Sequence, residues 1–279
     1  MKNLEELLQD SLNCVTDSRV KESMLYSLMA GGKRIRPNLL FEVLKGYGVP
    51  EENGIPFAAA IEMIHTYSLI HDDLPAMDND DMRRGRPTNH RQFDEATAIL
   101  AGDGLLTEAF HCVSGADVPA EQALQAIRIL SEMAGPSGMV YGQILDMNEA
   151  ADSTYEDIRK VHKYKTGCLL SAPLMIGAVL AGKESSVVEA WHEVGDMLGL
   201  AFQIQDDILD VTATAEQLGK SNSDARNEKI TVVTLLGEEP ARQKMVELYE
   251  ECRRRITEFG GFDSNSLIAM INGIEARAK

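Results

Sequence analysis

The sequence predicts an all-α protein, and three features of its pattern support this. Apolar residues recur at spacings of three and four along most of the chain, as in Leu4, Leu7, Leu8 and Leu12. Alternation with period two, the pattern of a half-buried strand, is hard to find. Glycine and proline interrupt the periodic segments at 31–32, 46–56, 85–89, 115–119, 135–138, 182, 219–224, 237–240 and 260–261. We therefore expect one helical domain over residues 1–279.

Composition limits the function. The 279 residues are 44% hydrophobic and 25% charged, as in ordinary globular proteins. Acidic residues outnumber basic ones 44 to 27, and a net charge of −17 argues against nucleic-acid binding. The acidic N-terminus is unlike a signal peptide, and no apolar run approaches the roughly 20 residues of a membrane span. These features predict a cytoplasmic protein without a membrane span.

The cysteines carry no recognisable metal or redox motif. Cys14, Cys112, Cys168 and Cys252 are far apart, with no C-x-x-C pair and no histidine at a zinc-type spacing. The sequence predicts free, buried thiols in a reducing compartment.

An acidic cluster follows the apolar segment that begins at Ile61. Asp72, Asp73 and Asp78 come after it, and Pro75 is expected to end the regular helix there. Alone, such a run fits a solvated loop equally well.

A second acidic cluster is embedded in a helix. Gln203, Asp206, Asp207 and Asp210 occupy positions i, i+3, i+4 and i+7, so at about 100° per residue they share one face. Like charges at this spacing destabilise a helix unless a cation compensates them. The alternative is a solvated polar stripe.

The donor chemistry of both clusters points to magnesium. Carboxylates without cysteine or paired histidines are hard oxygen ligands, and Mg²⁺ completes its shell with water and substrate phosphates. Residues 78–81 lack the alternation, central glycine and closing glutamate of a calcium-binding loop. Two such clusters suggest a diphosphate ligand.

Basic residues concentrate at turns of this acidic chain, where arginine forks and lysine charges can bind phosphate. The sequence lacks the P-loop and dinucleotide-binding glycine motifs. The basic groups are Lys33, Arg34 and Arg36; Arg83, Arg84 and Arg86; and Lys220 with Lys229.

Together these motifs resemble the trans-isoprenyl diphosphate synthase family, and most closely its bacterial farnesyl diphosphate synthases. The resemblance covers nearly the whole chain, and the order and spacing of its motifs are highly specific. The motifs are GGKRIRP at 31–37, D-D-x-x-x-x-D at 72–78, Arg83-Arg84-Gly85, GQ-x-x-D at 142–146, Lys165-Thr166 and D-D-x-x-D at 206–210.

The resemblance implies an all-helical bundle around a deep central cavity and a homodimer, with the two aspartate motifs facing each other across the cavity mouth. It implies Mg²⁺, with three ions when substrate is bound. Ligands would be Asp72, Asp78 and Asp206, supported by Asp73, Asp207 and Asp210.

The substrates implied are isopentenyl diphosphate and an allylic diphosphate. The allylic diphosphate would be held by Arg83, Lys165, Lys220 and Lys229, and isopentenyl diphosphate by Lys33, Arg36, His65 and Arg84. Gln203 and the backbone near Lys165-Thr166 would face the carbocation. His65 is interpreted as a phosphate contact, with a purely structural core histidine as the alternative.

Product length is predicted from Tyr67, five residues before Asp72 and so about 7–8 Å deeper along a helix. In the family a bulky aromatic there acts as a floor, which implies a fifteen-carbon product; a geranylgeranyl or geranyl diphosphate synthase is the alternative. The segment 219–233 departs from the family pattern, being about one residue shorter, with Val232 where an aromatic is common.

Three other functions fit the sequence less well. A metal phosphohydrolase is suggested by His71-Asp72 but needs further histidines. A class I terpene cyclase would share the first motif, yet its second metal motif is absent. A regulatory synthase subunit would have lost an aspartate motif, and both are present.

Overall fold

The structure is a computed structural model that describes residues 4–212 and 230–276. Helices dominate these residues, so the predicted all-α class is confirmed. Contacts divide the described chain into two compact units. The first contains 4–37 and 55–117, and the second contains 38–54, 118–212 and 230–276.

The first unit is built around α4 (Ile55–Asp72), which packs mainly against α6 (Glu95–Ser114). α4 is apolar on all sides and mostly buried, so it forms the centre of this unit. Asp94 caps α6 by accepting a hydrogen bond from the Thr97 amide at 2.8 Å. The remaining helices are α1 (Leu4–Ser11), α2 (Arg19–Leu28), the first turn of α3 (Ile35–Gly46) and α5 (Asn89–Gln92).

A short hairpin in this unit differs from the expectation of helix alone. β1 (Met82–Arg83) pairs antiparallel with β2 (Arg86–Pro87). The two turn residues, Arg84 and Gly85, have positive φ of 53° and 73°, which suits the twist of a two-residue hairpin turn. Strands of two residues are too short to leave a periodic signal in the sequence.

The second unit is centred on α10 (Cys168–Leu180), which is buried along its whole length, and on the long α11 (Ser185–Thr212). Trp191 of α11 stacks on Phe259 with ring centroids 4.2 Å apart. The other elements are a 3₁₀ turn (Glu51–Gly54), α7 (Ala120–Ala134), α8 (Met139–Met147), α9 (Tyr155–Val161), a π-helical turn (His162–Gly167), α12 (Val232–Leu236), α13 (Glu238–Thr257) and α14 (Asn265–Glu275).

The cysteines are free, as predicted, but they are not all buried. Cys168 and Cys252 are buried and Cys112 is partly buried, whereas Cys14 is exposed. The expectation of a buried thiol is wrong for Cys14 because this residue lies in the turn that follows α1. Among the described helices, none is both long and apolar enough to cross a membrane.

Candidate active site

The first aspartate motif begins at the buried end of α4. Asp72 and Asp73 are only 8% and 3% exposed, although both are acidic. After Pro75 the chain turns back, and the Asp78 amide donates to the Asp72 carbonyl at 2.9 Å. This bond returns the exposed Asp78 to the end of the helix, so the loop groups the three predicted aspartates.

Arg83 is paired with this motif. Its Nε donates to Asp73 Oδ1 at 2.7 Å, and its second nitrogen contact with the same oxygen is 2.6 Å. Burial nevertheless raises the pKa of Asp73 to about 6, because desolvation outweighs the effect of Arg83. A cation bound beside this carboxyl would favour its ionised form.

The glycine-rich turn before α3 lies against Arg84. Gly31 and Gly32 have positive φ of 79° and 127°. A Cβ on Gly32 would lie 2.9 Å from the Arg84 guanidinium carbon, and the guanidinium donates to the Gly31 carbonyl. Two of the predicted phosphate-binding segments, 31–37 and 83–85, are therefore adjacent.

Arg34 anchors the same turn from inside. It has a positive φ of 47° and is 7% exposed. Its guanidinium contacts Glu62 Oε1 at 2.6 Å, both oxygens of Glu5 at 2.9 Å and the Leu28 carbonyl at 2.7 Å. These bonds engage the Arg34 guanidinium with other groups of the protein, so Arg34 fixes the backbone that carries Lys33 and Arg36.

His65 lies on α4 near these cations. Burial, followed by the positive charges of Arg36, Arg84, Arg83 and Arg34, holds the pKa of His65 well below its ordinary value. A neutral imidazole donates one hydrogen bond and adds no charge. This state suits a contact to a phosphate oxygen.

A pocket opens beside Asp73 in the first unit. Its wall combines the apolar Leu69 and Ile70 with Arg83 and Arg84. An apolar pocket with paired guanidinium groups is suited to a small anion that carries a hydrocarbon part.

Tyr67 lies on α4 and is 7% exposed. Its ring meets the edge of His71 at a centroid distance of 5.8 Å, and burial raises its pKa to about 12. His71 in turn contacts the Ile99 carbonyl at 3.1 Å and packs on Gly102. The histidine therefore contributes to the packing between α4 and α6.

The second aspartate motif follows its predicted helical face. Ile204 and Ile208 are fully buried, whereas Asp206 and Asp207 are partly exposed and Asp210 is exposed. Gln203 is also partly exposed, as the shared face requires. Because these acidic groups share one face of α11, their like charges disfavour the helix unless a cation compensates them.

The carboxyl of Asp207 in this motif is perturbed by its surroundings. Its Oδ2 accepts the Val232 amide at 2.9 Å and lies 3.9 Å from His162 Nε2. Burial, together with the charges of Asp210, Asp206 and Glu149, raises its pKa to about 7. The Val232 bond opposes this shift but does not cancel it, so the site favours a cation.

Lys165 is presented by the π-helical turn His162–Gly167, which also carries the partly buried Thr166. Its Nζ contacts Asp146 Oδ2 at 2.6 Å. Asp146 is the last residue of the predicted GQ-x-x-D segment. Wide turns of this kind occur often at functional sites.

Lys220 and Lys229 lie outside the described residues. The expectation that they hold the allylic diphosphate therefore stays a prediction.

The donor set of the two motifs fits magnesium. Asp73 and Asp207 are carboxylates whose pKa values are raised by burial, and a divalent cation reverses that effect. Cysteine is absent from both motifs, and oxygen-only donors suit magnesium better than zinc.

Comparison with known proteins agrees with this geometry. The profile of the family described as polyprenyl synthetase matches residues 17–259. The chain belongs to the polyprenyl synthetase family. The prenyltransferase class predicted from the motifs is thereby confirmed.

Two curated relatives and one solved structure illustrate the similarity. The chain is 49% identical over 239 residues to a farnesyl diphosphate synthase of Micrococcus luteus, covering 84% of this chain and 82% of that one. It is 48% identical over 242 residues to a farnesyl diphosphate synthase of Bacillus subtilis, covering 85% and 82%. A geranyltransferase from Helicobacter pylori, complexed with magnesium and isoprenyl diphosphate, superposes with a TM-score of 0.81 at 33% identity, covering 98% and 93%.

The contacts that hold several site residues of this polyprenyl synthetase were not predicted from sequence. The pairs Arg34–Glu62, Lys165–Asp146 and Asp207–His162 each join residues that are distant in the chain, and the charge of Glu149 also acts on Asp207. The only sequence signal for Asp146 was its place in the GQ-x-x-D segment. The signal for Glu62 and His162 was weaker: in a helical segment, Glu62 lies three residues before the predicted site residue His65, and His162 lies three residues before Lys165.

We expect Gly142→Ala to disturb the Lys165 position. A Cβ on Gly142 would lie 2.0 Å from the Lys165 backbone nitrogen, a backbone contact that a side-chain rotation cannot relieve. Overpacking should lower the free energy of unfolding by about 1–3 kcal/mol and raise KM for the allylic substrate. Urea unfolding and steady-state kinetics measure the two effects.

The matched control is Gly273→Ala in α14, where no described heavy atom outside the helix's own backbone lies within 4 Å. It should be neutral or stabilising by about 0.5–1 kcal/mol. Equal free energies of unfolding and equal KM values for the two variants would contradict the close contact between Gly142 and the Lys165 backbone.

Proposed function

We propose that the protein is a magnesium-dependent farnesyl diphosphate synthase. It condenses isopentenyl diphosphate head-to-tail with dimethylallyl and then geranyl diphosphate. The observation that carries the proposal is the placement of the two aspartate motifs. Asp72 and Asp73 are buried at the end of α4, where Arg83 contacts Asp73, and the second motif presents Asp206, Asp207 and Asp210 along α11. The names of the Micrococcus luteus and Bacillus subtilis relatives support the fifteen-carbon product.

The metal-binding residues in this proposal are the six motif aspartates. Asp72, Asp78 and Asp206 serve as ligands, and Asp73, Asp207 and Asp210 support them, for three ions with substrate bound. Bound magnesium would neutralise the negative charge that develops on the departing diphosphate.

The cationic side chains of the protein position the two diphosphates. Arg83 and Lys165, with Lys220 and Lys229, hold the allylic diphosphate. Positive charges that are already in place stabilise the diphosphate more strongly as its bond to the allylic carbon breaks than in the bound substrate. In the structure, Arg83 pairs with Asp73 and Lys165 pairs with Asp146. Exchange of these partners would accompany substrate binding.

Isopentenyl diphosphate is held by Lys33, Arg36, His65 and Arg84. Because the pKa of His65 is lowered, its imidazole donates a hydrogen bond to a phosphate oxygen and does not act as an acid. Gln203 and the backbone at Lys165-Thr166 face the allylic cation. The departing diphosphate takes the final proton, so no side-chain base is required.

Product analysis tests the proposal. The purified protein is incubated with Mg²⁺, isopentenyl diphosphate and either dimethylallyl or geranyl diphosphate, with a chelator as control. Farnesyl diphosphate from both starters, abolished by the chelator, is the expected result. A twenty-carbon product would favour a geranylgeranyl synthase, and no product from either starter would favour a regulatory subunit. We propose a homodimer in solution, which mass measurement of the same sample checks.

A further inference from the structure

A second cluster of metal-binding side chains lies in the first unit, apart from the aspartate motifs. Cys14 follows α1, whereas Glu108 and His111 lie one turn apart on α6. The Cys14 thiol donates to Glu108 Oε1 at 3.2 Å, and His111 Nδ1 lies 2.7 Å from the same oxygen. The sulfur, nitrogen and oxygen donors all lie within 4.8 Å of one another.

The chemistry of this cluster differs from that of the aspartate motifs. Thiolate, imidazole and carboxylate are the three donor types that zinc uses, at about 2.0–2.3 Å from the ion. Cys14 and Glu108 are 94 residues apart, so the sequence contains no short metal-binding motif that would indicate this cluster. The side chain of His111 is 64% exposed and can rotate to admit an ion.

We propose that Cys14, Glu108 and His111 form a binding site for a zinc-type divalent cation, with water as the fourth ligand. On binding, the Cys14 thiol releases its proton to solvent and the sulfur binds the ion. The Nδ1 proton that His111 donates to Glu108 also passes to solvent, the ring stays protonated on Nε2, and the freed Nδ1 binds the ion. Glu108 exchanges its two hydrogen bonds for a bond to the ion. This assignment is independent of the prenyltransferase site.

The site would join the turn after α1 to α6. α1 also carries Glu5, which pairs with Arg34 beneath the turn of Lys33 and Arg36. An occupied site would therefore secure the helix that supports this turn, and it would raise the thermal stability of the folded chain by mass action.

Cobalt(II) is the probe, because only a bound thiolate gives it a near-ultraviolet sulfur-to-metal charge-transfer band. The full-length protein is titrated with Co²⁺ under a phosphine reductant and saturating Mg²⁺, which occupies the oxygen-only sites. We expect one equivalent of Co²⁺ with this band. The band should be lost in Cys14→Ser and kept in Cys252→Ala, whose thiol is buried elsewhere.

Two further variants test the other ligands. Glu108→Gln and His111→Gln should each weaken Co²⁺ binding at least about tenfold. Zinc should raise Tm in the unsubstituted protein but not in Cys14→Ser, whose magnesium-dependent activity should be unchanged. The proposal is overturned by absence of the band, by its persistence in Cys14→Ser, or by unchanged affinity in both glutamine variants.

Discussion

Asp72→Asn is expected to lower kcat by about 10²–10³-fold, the usual cost of removing one group that stabilises transition-state charge. Asp72 is 8% exposed at the end of α4, and its carbonyl binds the Asp78 amide. Asparagine keeps the size and this backbone bond, so the loop should fold normally while the ligand charge is lost. Steady-state kinetics with geranyl and isopentenyl diphosphates measure the effect.

The matched control is Asp81→Asn in the same loop. The side chain of Asp81 is 63% exposed and pairs with Arg91 at 2.5 Å. Exposed ion pairs contribute about 0–1 kcal/mol, so activity should hardly change. Equal losses in the two variants would indicate general loop damage, and full activity of Asp72→Asn would refute its role as a metal ligand.

Tyr67→Ala is expected to change the main product from fifteen carbons to twenty or more. Tyr67 is buried on α4, about 7–8 Å along the helix from Asp72, and alanine would remove its ring from the path of the growing chain. The substitution should also cost about 3–5 kcal/mol of stability, as for other buried aromatics. Chromatography of the dephosphorylated products at matched turnover measures chain length.

Tyr67→Phe is the control for this change. It keeps the ring and loses only the hydroxyl, so the product should remain farnesyl diphosphate. If Tyr67→Ala is folded and still makes only the fifteen-carbon product, Tyr67 is not the floor of the product site.

The sequence predicted those features that depend on local periodicity. The helices follow from the spacing of apolar residues, and the face of Asp206, Asp207 and Asp210 follows from helical geometry. Pro75 correctly indicated the end of α4. Each of these depends on residues within one or two turns of one another.

Features that depend on distant partners were not predictable. Arg34 looked like a phosphate ligand in the sequence, yet it is held by Glu62 and Glu5 from two other helices. The exposure of Cys14, and its contact with Glu108, depend on how α1 meets α6. Such partners are chosen by tertiary packing, which local spacing does not encode.

The π-helical turn His162–Gly167 also constrains how the chain can vary in length. Each hydrogen-bonded ring of a π turn holds one residue more than a ring of the α-helix. Removing that residue would restore a regular helix, but it would rotate α9 by about 100° relative to α10. Lys165 and Thr166 would then point in another direction while the helix remained intact. A deletion at this point would therefore be harmless to helix formation and harmful to the site, unlike a deletion in a surface loop.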